Sequence, residues 1–130
     1  MNKPEFLSRV QRSATLSSPK EAERWTVAVL RGLSHMLPDS EVRRHFASQL
    51  PGFLKSRLRE EPPRALLMTR DAFLQHVGAD LGLHAPEAER ALAAVFGVFR
   101  EAVSAGEVAD LEAHLPREIV ALLEQKGAVS

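Results

Sequence analysis

The sequence predicts an all-α protein, a helical bundle of two tandem, pseudo-symmetric four-helix repeats. Three observations predict it. Short segments recur in order: Phe6–Val10 (FLSRV) returns as Phe73–Val77 (FLQHV), Ser18–Arg24 (SPKEAER) as Ala85–Arg90 (APEAER), and Gln49–Leu58 (QLPGFLKSRL) as His114–Leu123 (HLPREIVALL). The matched segments lie 67, 66 and 65 residues apart, so one duplicated unit accounts for nearly the whole chain. Alanine, leucine, glutamate and arginine dominate, residues that lose little on entering a helix. Finally, no stretch alternates apolar and polar residues with β-branched enrichment, so no strand is expected.

The elements follow in order. A first helix is expected over Pro4–Ala14, with Phe6, Leu7 and Val10 on one face. A second starts at Ser18, where serine caps, Pro19 suits the first turn and Glu21 completes a Ser-x-x-Glu box. It runs to Leu37, burying Ala22, Trp25, Val29, Leu33 and Met36, and Pro38 ends it. A third, Ser40–Gln49, presents Val42 and Phe46, and a fourth, Pro51–Glu60, carries Phe53, Leu54 and Leu58. Residues 61–69 are the linker, stiffened by Pro62 and Pro63. The second copy then gives helices over Arg70–Leu81, Pro86–Ala105, Glu107–His114 and Pro116–Lys126. Thr69 caps the first of these, and Gly82, Gly106 and Gly127 are read as the residues past three helix ends. In each copy a Leu-Pro pair, Leu50-Pro51 or Leu115-Pro116, forces a bend and anchors a leucine in the core. Gly32 and Gly97 lie inside the two long helices. Glycine there costs about 1 kcal/mol relative to alanine, which points either to close helix approach or to drift that the helices tolerate.

A chain of 130 residues is read as one domain, with repeats at about 4–60 and 71–126. A unit of about 60 residues buries only roughly 60% of its exposable surface, so the repeats should share one core. No apolar run approaches the roughly 18 residues of a membrane span, and the N-terminus has no signal core. The absence of cysteine excludes disulfides and thiolate chemistry, and a cytoplasmic location is expected. Net charge is zero, but residues 1–70 carry 13 Lys/Arg against 7 Asp/Glu, and residues 71–130 carry 4 against 10. The halves are therefore +6 and −6.

The order Phe-Leu-x-x-Val, then Glu-Ala-x-Arg leading a long helix, then x-x-x-Leu-Pro, given twice, resembles the bacterial domain-of-unknown-function family 2267. The resemblance covers about residues 4–125, carried by Phe6–Val10, Glu21–Arg24, Gln49–Pro51, Phe73–Val77, Glu87–Arg90 and His114–Pro116. It implies a small, all-helical cytosolic protein with no established activity, so no catalytic residue carries over. Family members often place an aromatic-rich stretch after the first Leu-Pro helix. Here that stretch is LREEPPRALL.

Chemistry is sparse. No two of His35, His45, His76, His84 and His114 stand at the i, i+3 or i, i+4 spacing of helical metal ligands, and no metal site is expected. Glu41 with His45, and Asp80 with His84, have that spacing but are ordinary in a charged helical chain. His45 aligns with Asp110, Gln49 with His114 and His35 with Glu101, so no symmetric histidine site is expected either. There is no nucleophile elbow and no phosphate-binding glycine loop. Glu87 and Glu89 belong to an acidic first helical turn. The expected protein is thus not an enzyme and needs no cofactor. It is a protein-protein interaction or self-association module. The candidate binding surface is the basic stretch Arg43, Arg44, Lys55, Arg57, Arg59, Arg64 and Arg70, with a nucleic-acid partner as the alternative.

Overall fold

The computed structural model describes residues 1–58 and 66–124. Among them every regular element is helical, so the protein is all-α. The linker prolines Pro62 and Pro63, Arg59, Arg64, and Lys126 and Gly127, where the last helix is expected to end, lie outside the described residues.

Side-chain caps set most helix starts. Asn2 Oδ1 accepts from the Glu5 N–H (2.9 Å) to open α1 (Lys3–Ala14). Ser18 Oγ accepts from the Glu21 N–H (3.2 Å) to open α2 (Pro19–His35), while the Glu21 carboxylate reaches back to the Ser17 N–H. Asp39 accepts from the Val42 N–H (2.9 Å) to open α3 (Ser40–Ser48). A single turn, α4 (Gly52–Lys55), tightens into a 3-10 turn over Ser56–Leu58. Thr69 opens α5 (Arg70–Leu81) through the Ala72 N–H, and the Glu87 carboxylate accepts from the His84 N–H at the start of α6 (Ala85–Ala102). Ser104 opens α7 (Ala105–Ala113) through the Glu107 N–H, and α8 (Arg117–Glu124) follows Pro116. Asn2 and Thr69, Ser18 and His84, and Asp39 and Ser104 lie 67, 66 and 65 residues apart, the spacings of the matched segments. Two residues that close helices in left-handed geometry, Thr15 (φ 56°) and Gly82 (φ 70°), are also 67 apart.

Three boundaries differ from expectation. α2 ends at His35, because the N–H groups of Met36 and Leu37 fold back to Leu33 and Ser34 in tighter i→i−3 turns. Pro38 still follows, and both Met36 and Leu37 stay buried. α6 stops at Ala102 rather than Ala105. Ser104 with Glu107 three residues on starts a new helix, so Gly106 lies inside α7 and not past the end of α6. The helix expected over Pro51–Glu60 is one α turn and one 3-10 turn as far as it is described.

One core serves the described chain, running from Phe6 to Leu123. α1 packs on α2 and α6, α5 packs on α6 and α2, and α2 crosses α6. α8 closes over α5 and α6, and the 3-10 turn lies against α2. Phe6, Phe73, Leu50 and Leu115 are all buried. Trp25 is buried at the position that matches Ala91, and Phe96 and Phe99, with ring centroids 5.4 Å apart, supply bulk in the second half. Gly32 meets the close-approach expectation: a Cβ there would stand 3.1 Å from Phe73 Cε1 and 3.2 Å from Val77 Cγ2 of α5. Gly97 does not, since it is exposed and a Cβ would meet nothing within 4 Å.

Candidate functional site

Among the described residues, three side chains able to hold a metal ion come together between α3 and α7. The Ser104 cap fixes the start of α7, which puts Glu107 and Asp110 at i, i+3 on one side of that helix. His45, in the last turn of α3, meets both. Its Nε2 is 3.2 Å from Glu107 Oε2 and 3.7 Å from Asp110 Oδ2. One donor atom from each of the three residues lies within 4.8 Å of the other two. They edge a small recess lined also by Phe46, Phe99, Leu111 and His114, with about 10 Å³ of room for the centre of a water-sized sphere. That space is enough for one water or one ion. The His114 ring adds order: its Nδ1 is 2.9 Å from the Asp110 carbonyl, which only accepts, so Nδ1 donates to it.

Sequence spacing alone missed this grouping, because Glu107 and Asp110 stand 62 and 65 residues beyond His45. One signal was present. The repeated segments of the sequence align His45 with Asp110, and the structure brings these two residues together.

The basic stretch disperses. Arg43 is buried, with its guanidinium donating to the Leu37 carbonyl at 2.9 Å, so it belongs to the interior and not to a binding surface. Arg57 pairs with Glu23 of α2 at 3.0 Å, and Lys3 shares that carboxylate. Arg70 pairs with Glu89 of α6 at 3.0 Å and with Asp71, while its N–H donates to Glu118 of α8. Arg44 and Lys55 are exposed, with no ion pair among the described residues. Arg59 and Arg64 lie outside those residues.

Residues 3–122 match the model of a family described as Uncharacterized conserved protein (DUF2267). The chain belongs to this family. No curated protein matches the sequence.

Two further groups of this DUF2267 protein are shifted from their ordinary ranges. His35 of α2 and His76 of α5 stack edge-on with ring centroids 5.7 Å apart. His35 Nδ1 and His76 Nε2 are buried without a hydrogen-bond partner among the described residues. Burial first, then the neighbouring His76 and Arg31, pull the His35 imidazole below its ordinary range, against a smaller opposing pull from Asp80. On the other face, Arg100 donates to Glu112 (3.1 Å) and Glu124 (2.5 Å). Burial, and then the hydrogen bond and charge of Glu124, push the Glu112 carboxyl up to about 7 in spite of Arg100. No helix among the described residues is long and apolar enough to cross a membrane.

Proposed function

We propose that this protein is a cytoplasmic, non-enzymatic protein-protein interaction or self-association module, built from one four-helix unit duplicated about an approximate two-fold axis. The duplication is supported by the caps and left-handed closures at matching positions, and by the exchange of packing partners between α1/α2 and α5/α6. The observation that carries the function is the separation of charge, +6 on residues 1–70 and −6 on the rest. Internal pairing neutralises only part of it. Arg9 reaches Glu101 across the halves at 2.6 Å. Arg12, Lys20, Arg24, Arg44 and Lys55 remain exposed without ion pairs among the described residues, as do Asp80 and Glu87 in the second half. Leu67, 81% exposed, adds an apolar contact point within the linker.

Two molecules can then set the basic half of one on the acidic half of the other. A closed two-fold pair makes that contact twice. The nucleic-acid alternative is weakened by burial of Arg43 and by the carboxylates already held by Arg57 and Arg70. Light scattering tests the proposal. The Debye length falls from about 10 Å at 0.1 M salt to about 3 Å at 1 M, so a dimer at low salt should dissociate at high salt. A monomer at both salts overturns self-association through charge, and a dimer indifferent to salt assigns the interface to apolar contacts instead.

A further inference from the structure

We propose that His45, Glu107 and Asp110 form a site for one divalent first-row transition-metal ion of the Zn²⁺ type, which ties α3 to α7.

Spacing of the donors is the first support. In a tetrahedral Zn²⁺ site the metal–donor bonds are about 2.0–2.2 Å, which places neighbouring ligand atoms roughly 3.3–3.6 Å apart. Nε2 of His45 stands 3.2 Å and 3.7 Å from the two carboxylate oxygens. The three donor atoms all lie within 4.8 Å of one another, so side-chain movement alone closes them on an ion. The donor set is the second. One imidazole nitrogen with two carboxylates suits borderline ions such as Zn²⁺, whereas Ca²⁺ and Mg²⁺ prefer all-oxygen shells. Two carboxylates also supply the charge that neutralises a divalent cation.

The surroundings are the third. The adjoining recess has room for a single water, which fits the open fourth position left by three protein ligands. His114 lines the same recess, with its proton held on Nδ1 by the Asp110 carbonyl. That bond ties the His114 ring to the backbone of a ligand residue.

His45 is 52% exposed on its side chain and Asp110 51%, so an ion has direct access and the ligands can be replaced without opening the core. The alternative use of the cluster is a plain ion pair between a protonated His45 and the two carboxylates. The two uses respond oppositely to metal. An ion pair is indifferent to it, while a bound ion stabilises the native state by mass action, because in the unfolded chain His45 is more than sixty residues from the two carboxylates.

The experiment is calorimetric titration of the full chain with ZnCl₂ at pH 7.5, with thermal unfolding followed in parallel. Wild type, His45→Ala, Asp110→Asn and His84→Ala are compared, with folding of each checked by circular dichroism. The expected result is one ion per chain, a Tm that rises with Zn²⁺, and no such rise with Mg²⁺ or Ca²⁺. Losing an outer hydrogen-bond partner of a ligand typically costs about 10–100-fold in metal affinity, so losing a ligand in His45→Ala or Asp110→Asn should cost at least that. His84→Ala should bind as wild type does. Absence of binding at millimolar Zn²⁺ overturns the proposal. So does binding that survives His45→Ala, which would place the ion elsewhere.

Discussion

α2 and α6 are the matching long helices of the two halves, and each carries one internal glycine with an opposite fate. Aligning them by their buried residues sets Ala22, Trp25, Val29 and Leu33 against Ala88, Ala91, Val95 and Phe99, a constant shift of 66. In that register Gly32 matches the buried Val98, and Gly97 matches Arg31. The glycines are therefore one residue out of step, about 100° around a helix. Gly32 lets Phe73 and Val77 of α5 press close, and Gly97 looks into solvent. Position on the helix face, and not residue type, decides what a glycine does. The same register explains how the halves can share a frame and differ in side chains, with Trp25 against Ala91 and Leu30 against Phe96.

The largest test of the equivalence is at the Leu-Pro bends. Leu50 and Leu115 are 4% and 8% exposed, so either leucine replaced by alanine should lower stability by about 2–5 kcal/mol in urea unfolding. A loss below about 0.5 kcal/mol at Leu115 would put it outside the core and break the comparison there. At the glycines the outcomes should differ in sign. Gly32→Ala forces a methyl against Phe73 and Val77 and should destabilise by about 1–3 kcal/mol. Gly97→Ala meets open space and should stabilise by about 0.5–1 kcal/mol. Equal effects at the two sites would show that the one-residue shift in register is wrong.

The smallest effects are in pH, and again the two regions oppose each other. Native His35 binds its proton less tightly than the unfolded chain does. Its contribution to stability is thus complete above about pH 6.5 and lost as pH falls through its lowered value. Glu112, raised to about 7, binds its proton more tightly when native. Its contribution is complete below the ordinary carboxylate range and lost as pH rises toward 7. Glu112→Gln should therefore stabilise at pH 8, on the order of 1 kcal/mol after discounting for solvent beside the exposed Glu124, and change little at pH 4. His35→Gln should flatten the acid limb of the stability profile. Urea midpoints between pH 4 and 8 check both.

Much of this fold was legible in the sequence, because its signals are local. Ser18, Thr69 and the Leu-Pro pairs act within one helical turn of themselves, and each marked an element that exists. The errors came from competition between local signals: Gly106 read as a helix end, where Ser104 and Glu107 start a new helix instead. The site was less legible. Arg57 and Arg70 looked like an open basic surface because their carboxylates, Glu23 and Glu89, are brought in by other helices. His45, Glu107 and Asp110 meet only because α3 and α7 come together, and no spacing rule within one helix reports a contact made across the two halves.

The central proposal is that two matching halves fold as one unit around one core. Trp25 is the protein's single tryptophan and reports on the first half, while Leu115 lies in the second. The direct measurement is urea unfolding of Leu115→Ala followed by Trp25 fluorescence and by far-ultraviolet circular dichroism. With a shared core, both signals should move together to a lower midpoint with an unchanged slope. A Trp25 transition that stays at the wild-type midpoint while the circular dichroism transition moves or splits would contradict the account.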